Sequence, residues 1–119
     1  METHMITMRP GQALSLWHQV SLAQVHADDP DLTTRQMAVL LTVYLDPPPH
    51  TVRGLAIHLG VTKPVITRAL DTMGIKGLVA RRRDERDRRN VLIQRTVEGS
   101  EFLERLGLLI ADQGRTVPL

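Results

Sequence analysis

Apolar residues fall into helical stripes along most of this chain, and into an extended pattern in one stretch. Residues 11–27 place Ala13, Leu16, Trp17, Val20 and Ala23 near a helical period. Leu14, Leu22 and Val25 widen that stripe, so this helix needs more than one partner surface. Asp28, Asp29 and Pro30 end it. The next helix opens on a T-x-x-Q capping box, Thr33 to Gln36, with Leu32 placed to staple onto Met37. Met37, Leu40, Leu41 and Tyr44 follow at i, i+3, i+4 and i+7, and Asp46 with the three prolines at 47–49 stops the helix. Residues 1–10 carry no such pattern and are expected to be frayed.

Two short helices come next. Thr51 suits the N-cap of a helix to Leu59 whose buried face is Val52, Leu55, Ala56 and Leu59. Gly60 suits the left-handed position that closes it. Thr62 is placed to cap a further helix, and Pro64 sits in its first turn, where a missing N–H costs nothing. One face of that helix is Ile66, Ala69, Leu70 and Met73; the other is Pro64, Thr67, Arg68 and Asp71. Small Ala56, turn Gly60 and apolar Ile66 have the spacing of a helix-turn-helix.

After Gly74 and Gly77 the period becomes extended. Residues 78–83 and 90–95 read as two strands, and the wholly charged 84–89 as a solvated hairpin tip. Thr96 then caps a last helix over 97–113, with Glu98 and Glu101 near its positive end. Gly99 weakens that helix by about 1 kcal/mol relative to alanine. Helix-turn-helix followed by hairpin is a winged helix. The predicted fold is mainly α: a winged helix-turn-helix with a small β-hairpin wing, in a single domain over 1–119 with helix-turn-helix and wing at 51–96.

Charge sharpens this picture. Residues 63–95 hold ten of the fifteen Lys and Arg residues against four acids, while the rest of the chain has five basic and nine acidic residues. The overall charge of +2 hides a segregated basic segment, the footprint of a nucleic-acid binder. With Trp17, Tyr44 and Phe102 as the only aromatics, there is no stacking platform for single strands, which favours duplex DNA. There are no cysteines, so thiol chemistry and Cys-ligated zinc are excluded. The five histidines are scattered, including His50 and His58 around one helix, and no metal or cofactor is expected. No catalytic constellation is visible. No apolar run approaches a membrane span and no secretion signal is read, so a cytoplasmic protein with no membrane partner is expected.

The candidate DNA contacts follow from these elements. Lys63, Thr67 and Arg68 occupy the first turns of the second helix of the pair, where recognition helices meet base edges. Thr62 and Pro64 lie beside them, and Arg53 starts the preceding helix at a phosphate-facing position. Of the hairpin arginines, Arg83, Arg86 and Arg89 are preferred, because strand alternation turns only some of the row toward one partner. Arginine suits a narrow minor groove, being weakly hydrated and strongly attracted there.

The run GVTKPVITRALDTMGIKGLVARRRDERDRRNVLIQRTVEG resembles the MarR family of bacterial transcription regulators. The likeness extends over about residues 32–99. It rests on Lys63-Pro64 opening the recognition helix, on Gly77-Leu78-Val79 entering the hairpin, and on the charged tip leading to Thr96 and Gly99. The resemblance implies a homodimer with recognition helices in successive major grooves and wings reaching the minor grooves. It implies that Asp87 orients Arg89, and that the terminal helices, 11–27 and 97–113, dimerise. Leu16, Trp17, Val20, Phe102, Leu106, Leu109 and Ile110 are the dimerisation candidates. Many members of the family also bind a small-molecule effector. Only twenty residues follow Gly99, fewer than the family pattern, so a smaller or differently built dimer contact is expected. The function expected is a sequence-specific repressor on a palindromic operator. The alternative is a shortened winged-helix interaction protein that binds another regulator or polymerase.

Overall fold

The computed structural model describes residues 7–117; of the start expected to be frayed, 1–6 lie outside the described residues. The elements in order are α1 (Pro10–His26), α2 (Thr34–Leu45), β1 (His50–Thr51), α3 (Val52–Leu59), α4 (Lys63–Ile75), β2 (Val79–Arg83), β3 (Val91–Arg95) and α5 (Val97–Gly114). They form two compact units: residues up to Asp29 with those from Glu104 onward, and Pro30–Leu103.

The second unit is a winged helix. Its helix ends are set by the residues the sequence supplies for them. At the start of α2, Thr33 Oγ1 accepts from the Gln36 amide while Gln36 Oε1 accepts from the Thr33 amide. Thr51 caps α3 by accepting from the Gly54 amide. Gly60 (φ 68°) and Gly77 (φ 74°) end α3 and α4 in left-handed geometry. Each is followed by an apolar residue whose amide reaches back, Val61 to the Ala56 carbonyl and Leu78 to the Met73 carbonyl. That pattern satisfies end carbonyls and folds the next segment onto the core. Thr62 stands at the start of α4, but its side chain makes no capping hydrogen bond; the expected cap is positional only.

The core of this unit brings together Leu40 of α2, Leu55 of α3, Ile66, Leu70 and Met73 of α4, Ile93 of β3 and Phe102 of α5. The predicted faces of α3 and α4 are the buried ones, with Ile66, Ala69, Leu70 and Met73 all inside. On α2 the stripe is wider than the i, i+3, i+4 reading. Val39 and Val43 are fully buried, and Leu41 is only half-buried. The helix contacts α3, α4 and β3, so more than one face needs apolar cover.

The sheet has three strands in the order β1-β3-β2, all antiparallel neighbours. The hairpin matches the predicted pair to within a residue. The two-residue β1 carries no periodic signal and was not expected; it follows the prolines and adds His50 and Thr51 to the outer edge of β3. Register decides which way the arginines face. Arg81 lies opposite buried Ile93 and Arg83 opposite Val91, so both lie on the core-side face, and Arg82 on the other.

In the first unit α1 buries only Val20 among its described residues, while Leu14, Trp17, Leu22 and Val25 are exposed, Trp17 at 62%. Arg105 of α5 donates to Asp29 at 2.8 Å. Two dimerisation candidates are already covered within one copy. Val20 is 1% and Phe102 4% exposed within one copy, and Phe102 belongs to the winged-helix core. Both are interior residues. A stripe that packs inside one copy and a stripe that packs against a second copy have the same period, so the sequence pattern did not separate them.

Candidate nucleic-acid interface

The N-termini of α3 and α4 and the foot of the wing tip border an open groove of about 520 Å³. Arg53 and Lys63 stand on it from the two helices, Thr67 one turn further along α4, and Asp87 and Arg89 from the wing. Thr62, Pro64, Arg68, Arg83 and Arg86 are exposed but do not line it. Thr51, Val52, Asn90 and Val91 complete the lining. Of these the sequence flagged Thr51 and Val52 only for capping and burial. Asn90 had no signal of its own; it is fixed by its amide donating to the Asp87 carbonyl at 2.9 Å.

The electrostatics of this groove are unbalanced. Neither α3 nor α4 has an acid in its first turn; each instead carries a cation there, Arg53 and Lys63. A cation at the positive end of a helix is unfavourable by a few tenths of a kcal/mol to about 1 kcal/mol. An anion entering the groove would offset it. The groove's only acid is Asp87, and Arg89 neutralises it.

The wing tip is ordered by its acids. Asp84 Oδ1 accepts from the Arg86 amide at 2.9 Å, and Asp87 Oδ1 from the Arg89 amide at 3.1 Å. Two side-chain-to-backbone turns thus shape the tip, which was expected only to be solvated. Asp87 also holds the Arg89 side chain with both oxygens, Nε at 3.0 Å and Nη2 at 3.1 Å. The expected pairing of Asp87 with Arg89 is present as a bidentate bridge. The Arg89 guanidinium, then its amide, holds the Asp87 carboxyl below its ordinary range, and the pair raises Arg89. Arg89 nonetheless remains 90% exposed. An arginine has five donors, and this bridge uses two. Its direction is fixed and its remaining donors face outward.

Not every cation of the basic segment is available in this way. Arg81 pairs with Asp71 of α4 at 2.8 Å. That leaves Arg68 exposed with no ion pair among the described residues. Arg95 turns inward: Nε donates to the Val43 carbonyl at 3.0 Å and Nη2 to the Asp46 carbonyl at 3.2 Å, at the end of α2. His58 approaches Asp46 at 3.8 Å and His50 Nε2 lies 3.1 Å from the Asp46 carbonyl. No group of three metal-ligating side chains occurs among the described residues.

A family model described as the MarR family matches residues 32–91, just over half of the chain. This protein belongs to the MarR family. Its members are winged-helix transcription regulators, and solved structures of such regulators carry the same fold. A MepR–DNA complex from S. aureus superposes with a TM-score of 0.67 at 21% identity, over 89% of this chain and 78% of that one. The transcriptional regulator Tm0710 from Thermotoga maritima gives 0.67 at 22%, over 84% and 68%. The transcriptional repressor CouR, bound to a 23-mer DNA duplex, gives 0.67 at 27%, over 88% and 68%. No curated protein sequence matches. In this MarR-family chain the matched segment runs from the start of α2 through the wing tip into β3. No helix among the described residues is long and apolar enough to cross a membrane.

Proposed function

We propose that this protein is a homodimeric transcription regulator that binds a palindromic duplex operator and represses by occupying promoters. The observation that carries the reading is the groove itself. Two helix N-termini and the cations Arg53, Lys63 and Arg89 border it, and its only acid is already neutralised. Such a surface is built for a polyanion.

In this reading α4 enters the major groove. Lys63, Thr67 and Arg68 reach base edges, and Arg68 is suited to grip a guanine through two hydrogen bonds. Thr62, Pro64 and Arg53 lie along the backbone. Arg89, aimed by Asp87, enters the minor groove, with Arg83 and Arg86 near the flanking phosphates. Backbone contacts set position, and the α4 contacts set sequence. The homodimer is supported by the exposed apolar residues of the terminal helices, Leu14, Trp17 and Val25 on α1 and Leu108 on α5. Leu16, Leu106, Leu109 and Ile110 remain the other contact candidates. Effector control rests on family resemblance alone, and no residue is assigned to it.

Selection of bound duplexes from a random pool tests the reading. The expected product is an inverted repeat with half-sites one helical turn, ~34 Å, apart. Recovery of no enriched sequence would count against it, and recovery of single half-sites would count against the dimer.

A further inference from the structure

We propose that Tyr44 is a positioning residue that fixes the wing against the recognition helix and thereby sets the preference for sequences flanking each half-site. This rests on the DNA-binding reading above.

The Tyr44 hydroxyl donates to the Leu78 carbonyl at 2.8 Å and accepts from the Thr96 amide at 2.9 Å. Leu78 leads into β2 and Thr96 follows β3, so one phenol oxygen clasps both legs of the wing. Thr96 continues the chain of bonds. Its hydroxyl donates to the Gly77 carbonyl at 2.7 Å, at the turn that ends α4, and accepts from the Gly99 amide in the first turn of α5. Arg95 adds a second tie, stacking over the Tyr44 ring at 5.9 Å while its guanidinium bonds the end of α2. Gly99 has no room for a Cβ, which would overlap the Tyr44 hydroxyl and the Leu78 carbonyl. Tyr44 thus ties the end of α4 and both wing legs to α2, with Arg95 as a second link from β3.

The lever is long. At 3.3 Å per residue, five-residue strands carry the tip roughly 16 Å from this clasp. A hinge of about 10° at the base would move Arg89 by roughly 3 Å, more than a hydrogen bond tolerates. The contacts of α4 lie at its other end and do not share that lever. Loosening the clasp therefore alters reading by the wing before reading by the helix.

Tyr44→Phe tests this, because it keeps the ring under Arg95 and removes only the hydroxyl. Two quantities are measured: the affinity ratio for duplexes that differ only outside the half-site contacted by α4, and amide exchange of the wing. The variant is expected to bring the flank ratio toward one and to speed exchange in β2 and β3, with half-site preference retained. Arg95→Lys, which keeps the charge but loses the two-carbonyl fork, is expected to do the same to a smaller degree and serves if Tyr44→Phe fails to fold. Ile66→Val is the control: it lowers stability from the core without touching the clasp, and should leave the flank ratio unchanged. An unchanged flank ratio in both clasp variants overturns the proposal, and so does an equal shift in the control. If the unaltered protein binds no duplex, the DNA reading fails; wing exchange unchanged by either clasp variant would then overturn the clasp separately.

Discussion

Asp87 grips Arg89 with both carboxylate oxygens while leaving it almost fully exposed. An acid in a DNA-facing groove repels phosphate, so charge alone says its removal should tighten binding. The geometry says otherwise, because Asp87 also holds the Arg89 amide and the turn around it. Asp87→Asn is expected to weaken duplex binding despite removing a negative charge; tighter binding in a fluorescence anisotropy titration would refute the orienting role. The pH dependence has a definite sign. A carboxyl held below its ordinary value of 3.8 favours the bridge at all higher pH and releases it only as pH falls through the lowered value. DNA affinity should therefore show no Asp87 titration across the neutral range. In the proposed complex Arg68 makes a different kind of contact. Arg68→Ala is expected to relax preference at one or two base positions, worth ~1–3 kcal/mol for a bidentate contact, with other positions kept. Binding curves on single-base operator variants check it, and a uniform loss at every position would make Arg68 a phosphate contact instead.

At the scale of elements, helix α5 carries two glycines with opposite consequences. Gly99 lies against Tyr44 and Leu78 with no space for a side chain, whereas nothing lies within 4 Å of a Cβ at Gly107. Both substitutions gain up to about 1 kcal/mol of helix propensity. Gly99→Ala also meets overpacking of about 1–3 kcal/mol, so it is expected to destabilise, while Gly107→Ala stabilises. Urea unfolding measures both, and a stabilised Gly99→Ala would contradict the packing described. The same pair marks what the sequence discloses. Periodicity and caps revealed α2, α3, α4 and the hairpin, because those signals are local. The buried faces of α3 and α4 were legible for the same reason. The roles of Tyr44, Arg95 and Gly99 were not, since each depends on partners tens of residues away. Strand β1 was invisible because two residues have no period. The Asp87–Arg89 bridge was legible through family resemblance, being contained in three consecutive residues. Asn90, the neighbour that completes the groove, was not.

Over the whole molecule, charge is segregated along the chain. The cations concentrate between α4 and β3, and exposed apolar side chains occur along α1, including Trp17 at 62% and Val25 at 80%. Trp17→Lys should leave the fold of one copy intact, because the ring is already exposed. It is expected to shift sedimentation toward monomer and to weaken operator binding; an unchanged dimer would move the interface off α1. The groove between α3, α4 and the wing is expected to bind duplex phosphate. Its most direct test is a salt titration of duplex affinity for the unaltered protein and for Arg89→Ala. Binding that neutralises several phosphates falls steeply, with a log–log slope of about −0.9 per phosphate, and Arg89→Ala should lessen the slope by about one such unit. Affinity that is flat in salt, or a slope the variant leaves unchanged, would show that this groove does not hold duplex phosphate.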